Sequence, residues 1–225
     1  MLDILAISPH PDDVELCCGG LIAKLNGKRY DVGIVDLTKG ELGTEGSGGT
    51  RVQEAAEAAD ALGVEIRENM DFGDCRLSSG FDEAVRLADV IRQYAPSVLI
   101  APYGDDYHPD HRASRELVDK AAFVAKLTKI ETGHKAHRVQ MVAYYMLHRP
   151  FTPSFIVDVT DSYGRKKAAI KAYRSQLRLM FGAGGLFKSI ELRDRLYGSR
   201  IGVKQGEPFF CRDPLKIDDP VALVT

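Results

Sequence analysis

The sequence predicts an α/β fold in which helices cover both faces of a mostly parallel sheet. Short apolar runs alternate with longer segments of helical periodicity along the 225 residues. The first run, residues 2–7, is followed by Pro and charged residues, which is typical of a buried parallel strand. Because 44% of the residues are apolar and no linker interrupts the alternation, we expect residues 1–225 to form a single domain.

The chain begins with a β-α-β unit. The first strand precedes a helix at residues 12–27 and a second strand at residues 31–37, and such units almost always have a right-handed crossover. The pair Gly19-Gly20 weakens this helix, which indicates close packing against the sheet or another backbone.

The segment from Thr38 to Thr50 is rich in glycine, and we interpret it as a mobile loop beside the carboxyl edge of the sheet. It lacks the G-x-G-x-x-G spacing of a dinucleotide site, and no Gly-Lys-Ser/Thr follows, so a flexible lid is favoured over a phosphate site. Arg51 opens the next helix, which ends at Gly63. An arginine at a helix start opposes the dipole, so Arg51 either points at an anionic group or lies on the surface.

The rest of the chain continues the alternation of strands and helices. The basic run Arg165-Lys166-Lys167 is interpreted as a solvated helix face, and the glycine-rich segment 181–185 interrupts the helical pattern. The predicted strands lie at 64–72, 97–102, 139–147, 154–159 and 207–211, the helices at 82–95, 110–128, 161–178 and 188–199, and a polar loop at 129–138.

Charge and composition exclude several classes of protein. The formal net charge is −2 and no long basic block occurs, so we expect neither a nucleic-acid partner nor binding to an anionic membrane. The N-terminal apolar run is too short for a signal peptide or a membrane span, which predicts a cytoplasmic protein. Four cysteines without a C-x-x-C pair favour reduced, mostly buried thiols over disulfides or a zinc knuckle.

Two short clusters of acidic and imidazole side chains each follow a predicted strand. The first cluster, residues 8–15, contains His10, Asp12 and Asp13 after the first strand, and the second cluster, residues 108–111, follows the fourth strand. The carboxyl ends of parallel strands meet at one edge of the sheet, where such folds bind ligands. We therefore interpret the two clusters as parts of one site.

These clusters predict a metal site. His10 and Asp13 stand three residues apart at a helix entry and can reach one ion, and His111 supplies a third ligand. Two imidazoles and one carboxylate match the zinc sites of hydrolases, although iron, manganese and cobalt remain open. A single His-x-x-Asp is more often structural, but the position of three of the six histidines in these clusters favours a metal. The other histidines, expected outside the site, are His134, His137 and His148.

The remaining polar side chains of the clusters predict acid-base catalysis. Asp12 is expected to take a proton from the activated water, and His108 to donate to the oxyanion or the leaving amine, with Asp110 orienting it. The alternative for Asp12 and Asp110 is helix capping, since carboxylates suit the first turn of a helix.

The two clusters resemble the signature of the LmbE-like zinc N-deacetylases, sugar deacetylases of bacterial thiol and glycolipid pathways. The resemblance rests on Pro9-His10-Pro11-Asp12-Asp13 with Glu15 and Gly19-Gly20, and on His108-Pro109-Asp110-His111. Later segments resemble the branch of the family that deacetylates N-acetylglucosaminyl-malate in bacillithiol biosynthesis. These segments are Asp36-Leu37-Thr38, Glu41-Leu42, Arg51 with Glu54 to Ala59, Ala172-Tyr173 with Ser175-Gln176, Leu196-Tyr197-Gly198, and Gly206-Glu207 with Phe209-Phe210.

The resemblance implies a Rossmann-like fold, a zinc ion on His10, Asp13 and His111, and removal of acetyl from an N-acetylglucosamine conjugate of the bacillithiol pathway. It also implies specific roles for other residues and a homo-oligomer, a hexamer in related enzymes. The implied roles are Asp12 as general base, His108 stabilising the transition state, Arg51 contacting the substrate's carboxylate or hydroxyls, and Tyr197 reaching the oxyanion.

Two other functions compete with this hypothesis. A thiol-conjugate amidase of the same family would cut a cysteinyl amide in a similar pocket. A non-catalytic nucleotide-binding module of Rossmann type would bind a nucleotide without metal, but the missing glycine fingerprint argues against it.

Overall fold

The structure, a computed structural model, describes residues 1–182, 185–219 and 221. Within these residues the chain forms seven strands and seven α-helices, which alternate from β1 to β5. The strands are β1 (Ile4–Ser8), β2 (Val32–Asp36), β3 (Ile66–Asn69), β4 (Val98–Pro102), β5 (Met141–Tyr145), β6 (Phe155–Asp158) and β7 (Gly206–Cys211). The helices are α1 (Asp13–Gly27), α2 (Gly48–Leu62), α3 (Phe81–Tyr94), α4 (Pro109–Ala125), α5 (Tyr163–Ala172), α6 (Leu177–Phe181) and α7 (Leu186–Arg200).

All seven strands belong to one sheet, whose order is β3-β2-β1-β4-β5-β7-β6. The strands from β3 to β5 are parallel, and β7 runs antiparallel to both of its neighbours. The chain passes outward from β1 to β2 and β3, then returns to place β4 on the other side of β1. At this change of direction, open α/β sheets form a crevice for ligands beside the carboxyl ends of the strands. The predicted α/β fold with a mostly parallel sheet is confirmed.

Helices cover both faces of the sheet because its central strands carry apolar side chains on both sides. In β1, Ala6 contributes to the apolar core beneath α1, α2, α5 and α7, whereas Leu5 and Ile7 contribute to the core beneath α3 and α4. All three side chains are completely buried. Packing on both faces therefore fixes the end of β1, from which the first cluster follows.

The predicted strands and helices are all present, but helix α2 begins earlier than expected. It starts at Gly48 rather than at Arg51, because the Ser47 side chain accepts a hydrogen bond from the Thr50 amide and caps the helix. The glycine-rich loop therefore ends before Gly48 and is shorter than predicted. Arg51 lies in the first turn of α2.

The predicted helix at residues 161–178 is interrupted. Helix α5 ends before Tyr173, whose ψ of 68° is not helical, and a short 3-10 turn leads into α6. The predicted break at residues 181–185 lies partly outside the described residues. No helix in the described part of the chain is long and apolar enough to cross a membrane.

The interpretation of Arg165-Lys166-Lys167 as a solvated face is wrong for Lys166, which is completely buried. Its ammonium group lies 2.7 Å from a carboxylate oxygen of Asp194 and 2.7 Å from one of Glu207. A buried charge of this kind needs close partners of opposite charge to offset its lost hydration. Sequence periodicity alone does not report such partners, which come from α7 and β7.

Glu207 of this ion cluster also secures helix α1. The helix is kinked at Cys18, whose φ of −140° is not helical, and the Glu207 carboxylate accepts hydrogen bonds from the amides of Gly20 and Leu21 at 2.9 and 2.7 Å. A Cβ atom at Gly20 would lie 2.8 Å from Val159, so this close approach requires glycine. The helix that carries the first cluster is thus tied to α5, α7 and β7.

Replacing Lys166 with Met is expected to destabilise the protein by about 3–5 kcal/mol, because Glu207 then stays buried without its cation and Asp194 keeps only Arg193 as a cationic partner. Chemical denaturation followed by circular dichroism measures the free energy of unfolding. Lys171→Met, at an exposed position of the same helix, is the control and should change that free energy by less than about 0.5 kcal/mol. Equal stability of the two variants would contradict the role given to Lys166.

Candidate active site

The two sequence clusters meet at the carboxyl edge of the sheet, because β1 and β4 are neighbouring parallel strands. The first cluster leads from β1 into α1, and in the second cluster His108 is the N-cap residue of α4. The ring centroid of His10 lies 4.8 Å from that of His108 and 5.3 Å from that of His111. The structure therefore brings the polar side chains of both clusters into one site.

Three buried side chains of this site converge on one point. His10 Nδ1 is 3.1 Å and His111 Nε2 is 3.4 Å from the same oxygen, Oδ2 of Asp13. One ligand atom from each residue lies within 4.8 Å of the other two. Among the described residues, three other groups could also hold a metal, but each includes a less buried residue. Two imidazoles and one carboxylate suit a divalent transition metal such as zinc.

A carboxylate lies behind each imidazole. His10 Nε2 is 3.1 Å from Asp110 Oδ2 and 3.4 Å from Asp74 Oδ1. His111 Nδ1 is 3.2 Å from Asp106 Oδ1. A carboxylate that accepts the N–H of one ring nitrogen leaves the other nitrogen of that ring free to bind a metal. The nitrogens left free are Nδ1 of His10 and Nε2 of His111, and both face Oδ2 of Asp13.

The protonation of the site also fits a cation. Burial lowers the pKa of His10, but hydrogen bonds to the surrounding carboxylates outweigh it and raise this pKa well above its usual value. Burial also lowers the pKa of His111, but the carboxylates of Asp13 and Asp106 together outweigh burial and raise this pKa to about 9. Without a metal, the carboxylates therefore hold protons on both imidazoles. A divalent cation takes the place of these protons when it binds.

Asp110 has a different partner from the one that the sequence predicts. Its carboxylate was expected to orient His108, yet it contacts His10 and accepts a hydrogen bond from the Cys75 amide at 2.7 Å. Only the backbone amide of Asp110 contacts His108, by donating to its Nδ1 at 3.3 Å. Asp110 thus does not cap α4. Its carboxylate instead contacts His10, a candidate metal ligand.

Sequence analysis missed Asp74 and Asp106, and its placement of His148 outside the site is wrong. The Asp106 carboxylate lies 3.0 Å from His148 Nδ1, and the His148 ring stacks on the ring of His111 with centroids 5.2 Å apart. Because β5 pairs with β4, the residues after β5 return beside the second cluster. The position of Asp106 two residues before that cluster was a usable signal, whereas Asp74 lies in a turn far from both clusters in sequence.

Asp12 occupies the N-cap position of α1 without capping it. Its backbone has a φ of 113°, which is strained for a residue other than glycine, and its side chain makes no capping hydrogen bond. Burial raises the pKa of the Asp12 carboxyl to about 7, although the neighbouring Arg51 opposes this rise. A carboxyl with a pKa in this range is suited to exchange protons near neutral pH.

Arg51 is buried and points at Asp12, so it does not lie on the surface. Its Nη2 donates a hydrogen bond to Asp12 Oδ2 at 2.7 Å and another to the carbonyl oxygen of Pro11. A Cβ atom at Gly40, whose φ is +61°, would lie 2.7 Å from the guanidinium. The glycine-rich loop therefore approaches the arginine closely. Asp12 is an anionic group of the kind that the sequence predicts as a partner of Arg51.

His108 is half-buried and has a defined tautomer. Its Nδ1 accepts the hydrogen bond from the Asp110 amide, so the ring proton lies on Nε2. Burial lowers the pKa of His108, and the neighbouring rings of His10 and His111 lower it further. A neutral imidazole with its N–H on Nε2 can donate a hydrogen bond to a substrate oxygen.

Tyr197 lies on the wall of an adjacent cavity. Its hydroxyl donates a hydrogen bond to the Phe151 carbonyl at 3.3 Å, and its side chain is almost completely buried. Asp13 lines the same cavity, which has a volume of about 540 Å³. The structure thus brings Tyr197 to a cavity that reaches a candidate metal ligand.

Comparison with known proteins identifies the family. A family model described as PIG-L, GlcNAc-PI de-N-acetylase, matches residues 5–122, a stretch that contains both clusters. The chain belongs to the PIG-L (LmbE-like) family. Zinc dependence is general in the PIG-L family, and the protein is an N-deacetylase of this family.

Several relatives align over most of the PIG-L fold. The chain is 32% identical to the diacetylchitobiose deacetylase of Thermococcus kodakarensis, over 77% of this chain and 69% of that protein. It is 30% identical to the 4-oxalmesaconate hydratase of Pseudomonas putida, over 78% and 74%. A probable N-acetyl-alpha-D-glucosaminyl L-malate deacetylase of Bacillus cereus is 27% identical over 79% and 84%. The conserved protein TT1542 from Thermus thermophilus has a TM-score of 0.91, with 36% identity over 98% of both chains.

Replacing His111 with Ala is expected to abolish stoichiometric zinc binding, because the PIG-L site then keeps one imidazole and one carboxylate of the converging set. Asp106→Asn, which leaves all three ligands in place, should weaken zinc affinity about 10–100-fold through the orientation of His111. Competition with a chromophoric chelator measures both affinities.

The control for these variants is His134→Ala, which removes an exposed histidine paired with Asp89. Its zinc affinity should equal that of the unaltered protein. Stoichiometric, tight zinc binding by the His111→Ala variant would show that the metal lies elsewhere.

Proposed function

We propose that the protein hydrolyses the acetamide group of an N-acetylglucosamine conjugate, with a zinc ion held by His10, Asp13 and His111. The observation that carries this proposal is the convergence of these three side chains beside Asp12, a largely buried carboxyl whose pKa is raised to about 7. Membership of the PIG-L family supports the same reaction.

The proposed reaction divides the work between the metal and the protein. A zinc ion held by these residues would act as a Lewis acid and would lower the pKa of a bound water from 15.7 to about 7. Asp12 accepts a proton as water adds to the amide carbon, and it returns that proton to the nitrogen as the C–N bond breaks. His108 donates its Nε2 hydrogen bond to the developing oxyanion. The products are acetate and the free amine.

Arg51 has two tasks in this proposal. Its hydrogen bond to Asp12 holds the general base in place at 2.7 Å. Arg51 and Asp12 also line a polar cavity of about 300 Å³, together with His10, Asp74 and His108. Charged and hydrogen-bonding groups around this cavity suit the hydroxyls of a sugar, and the guanidinium suits a carboxylate on the conjugate.

The specific substrate that we propose is N-acetylglucosaminyl-malate of the bacillithiol pathway. It is supported by the later sequence segments that resemble this branch and by the relative in Bacillus cereus. We further propose that Tyr197 reaches the oxyanion once substrate is bound, and that the enzyme acts as a homo-oligomer. A diacetylchitobiose deacetylase is a relative too, so the malate group is the part of the assignment that most needs a test.

The test is acetate release by the zinc-loaded protein from N-acetylglucosaminyl-malate, with free N-acetylglucosamine and diacetylchitobiose for comparison. We expect the highest kcat/KM for the malate conjugate. Preference for diacetylchitobiose would contradict the bacillithiol assignment and leave the deacetylase. Cleavage of a cysteinyl conjugate alone would favour the thiol-conjugate amidase, and no amide hydrolysis at all would direct attention to hydration, the reaction named for the Pseudomonas putida relative.

Asp12→Asn should keep zinc bound but lower kcat about 100-fold or more, because the amide cannot accept the proton from water. Metal analysis and acetate release on the same preparation test this directly. Asp60→Asn, which changes an exposed residue of α2, serves as the matched control and should retain full activity. Full activity of the Asp12→Asn variant with zinc in place would remove Asp12 from the mechanism.

A further inference from the structure

We propose that the apolar cavity beside Asp13 receives the acyl group of the amide, and that the enzyme therefore removes not only acetyl but also longer aliphatic N-acyl groups. The proposal rests on the amide hydrolysis proposed above and assigns its substrate class. It follows from the composition, the position and the size of this cavity, which we call the acyl cavity.

The acyl cavity is lined mainly by apolar side chains. Its walls come from the start of α1, from the segment after β5 and from α7. Apolar members include Leu16, Met146, Leu147, Pro150, Ile190 and Leu196. Apolar walls of this kind favour hydrocarbon over a sugar ring, whose hydroxyls would lose their hydration without finding partners.

The polar side chains around the acyl cavity are largely engaged elsewhere. Arg193 donates hydrogen bonds to Asp194 at 2.9 and 2.8 Å and to the Met146 carbonyl at 2.8 Å. His148 is held by Asp106, and the Tyr197 hydroxyl donates to a backbone carbonyl. These groups leave little capacity for binding sugar hydroxyls.

Two of the candidate metal ligands line two cavities of opposite character. The polar cavity is lined by His10 and Asp12, whereas the acyl cavity is lined by Asp13. The carbon of a scissile amide carries one nitrogen substituent and one acyl substituent. A sugar on the nitrogen suits the polar side, so the acyl chain is left for the apolar side.

The acyl cavity is much larger than an acetyl methyl group. Its volume is about 540 Å³. A methyl group is comparable to a water molecule, which occupies about 30 Å³ of liquid. A chain of several carbons can therefore enter, and each buried methylene is expected to raise kcat/KM about fourfold by its transfer from water.

The test compares hydrolysis of N-acetyl, N-butanoyl and N-hexanoyl glucosamine by the zinc-loaded enzyme. We expect kcat/KM to be at least about tenfold higher for hexanoyl than for acetyl. In parallel, calorimetry compares binding of acetate and hexanoate, the carboxylate products, and hexanoate should bind at least about tenfold more tightly. A fall of kcat/KM with acyl length, or equal binding of the two carboxylates, would overturn the proposal.

A variant at the rim of the cavity sharpens the test. Leu196 lines the acyl cavity and is 55% exposed, so Leu196→Glu should fold and place a charge at its mouth. The ratio of hexanoyl to acetyl kcat/KM should fall about tenfold or more in this variant. Leu179→Glu changes an exposed leucine on α6 that is not among the lining residues, and it should leave this ratio unchanged.

Two further outcomes separate this inference from the proposed function. If no N-acylglucosamine is hydrolysed but hexanoate still binds more tightly than acetate, the proposed reaction fails and the acyl cavity stands. If acyl length has no effect but octyl N-acetylglucosaminide is hydrolysed faster than N-acetylglucosamine, the cavity holds the group beyond the sugar, and the acyl assignment is overturned.

Discussion

The hydrogen bond from His10 to Asp110 and the 3.2 Å contact of His111 Nδ1 with the Asp106 carboxylate decide which ring nitrogens face Asp13. If an imidazole ring were free to rotate, either of its nitrogens could face Asp13. The three ligand atoms would then converge only part of the time. The carboxylates behind the rings remove that freedom and raise the basicity of the nitrogens that remain available. The proposed metal site depends on this arrangement.

Many charges are buried to hold this edge of the sheet. Arg67 binds Asp36 through two hydrogen bonds of 2.8 Å and also pairs with Glu15, the last residue of the first cluster. Lys166 anchors helix α1 further along the chain, because its carboxylate partner Glu207 binds that helix. Buried ion pairs add little net stability because desolvation offsets their attraction. Their consequence here is positional, since they fix α1 and with it the strained backbone of Asp12.

The sequence was sufficient for the order of strands and helices, because apolar runs and helical periodicity are local signals. It also indicated that the two clusters belong together, since both follow parallel strands. The partners of Lys166, the position of His148 and the carboxylate of Asp74 were not predictable in this way. Each depends on contacts between residues far apart in the chain, and the interruption at Tyr173 likewise depends on tertiary packing rather than on propensity.

X-ray absorption spectroscopy of the zinc-loaded protein tests the central claim most directly, because it identifies the atoms bound to the metal. If His10, Asp13 and His111 hold the ion, the spectrum shows two imidazoles and oxygen ligands at about 2.0–2.2 Å. A sulfur ligand at about 2.3 Å would contradict the account. It would place the metal on the alternative group of Asp74, Cys75 and Asp110.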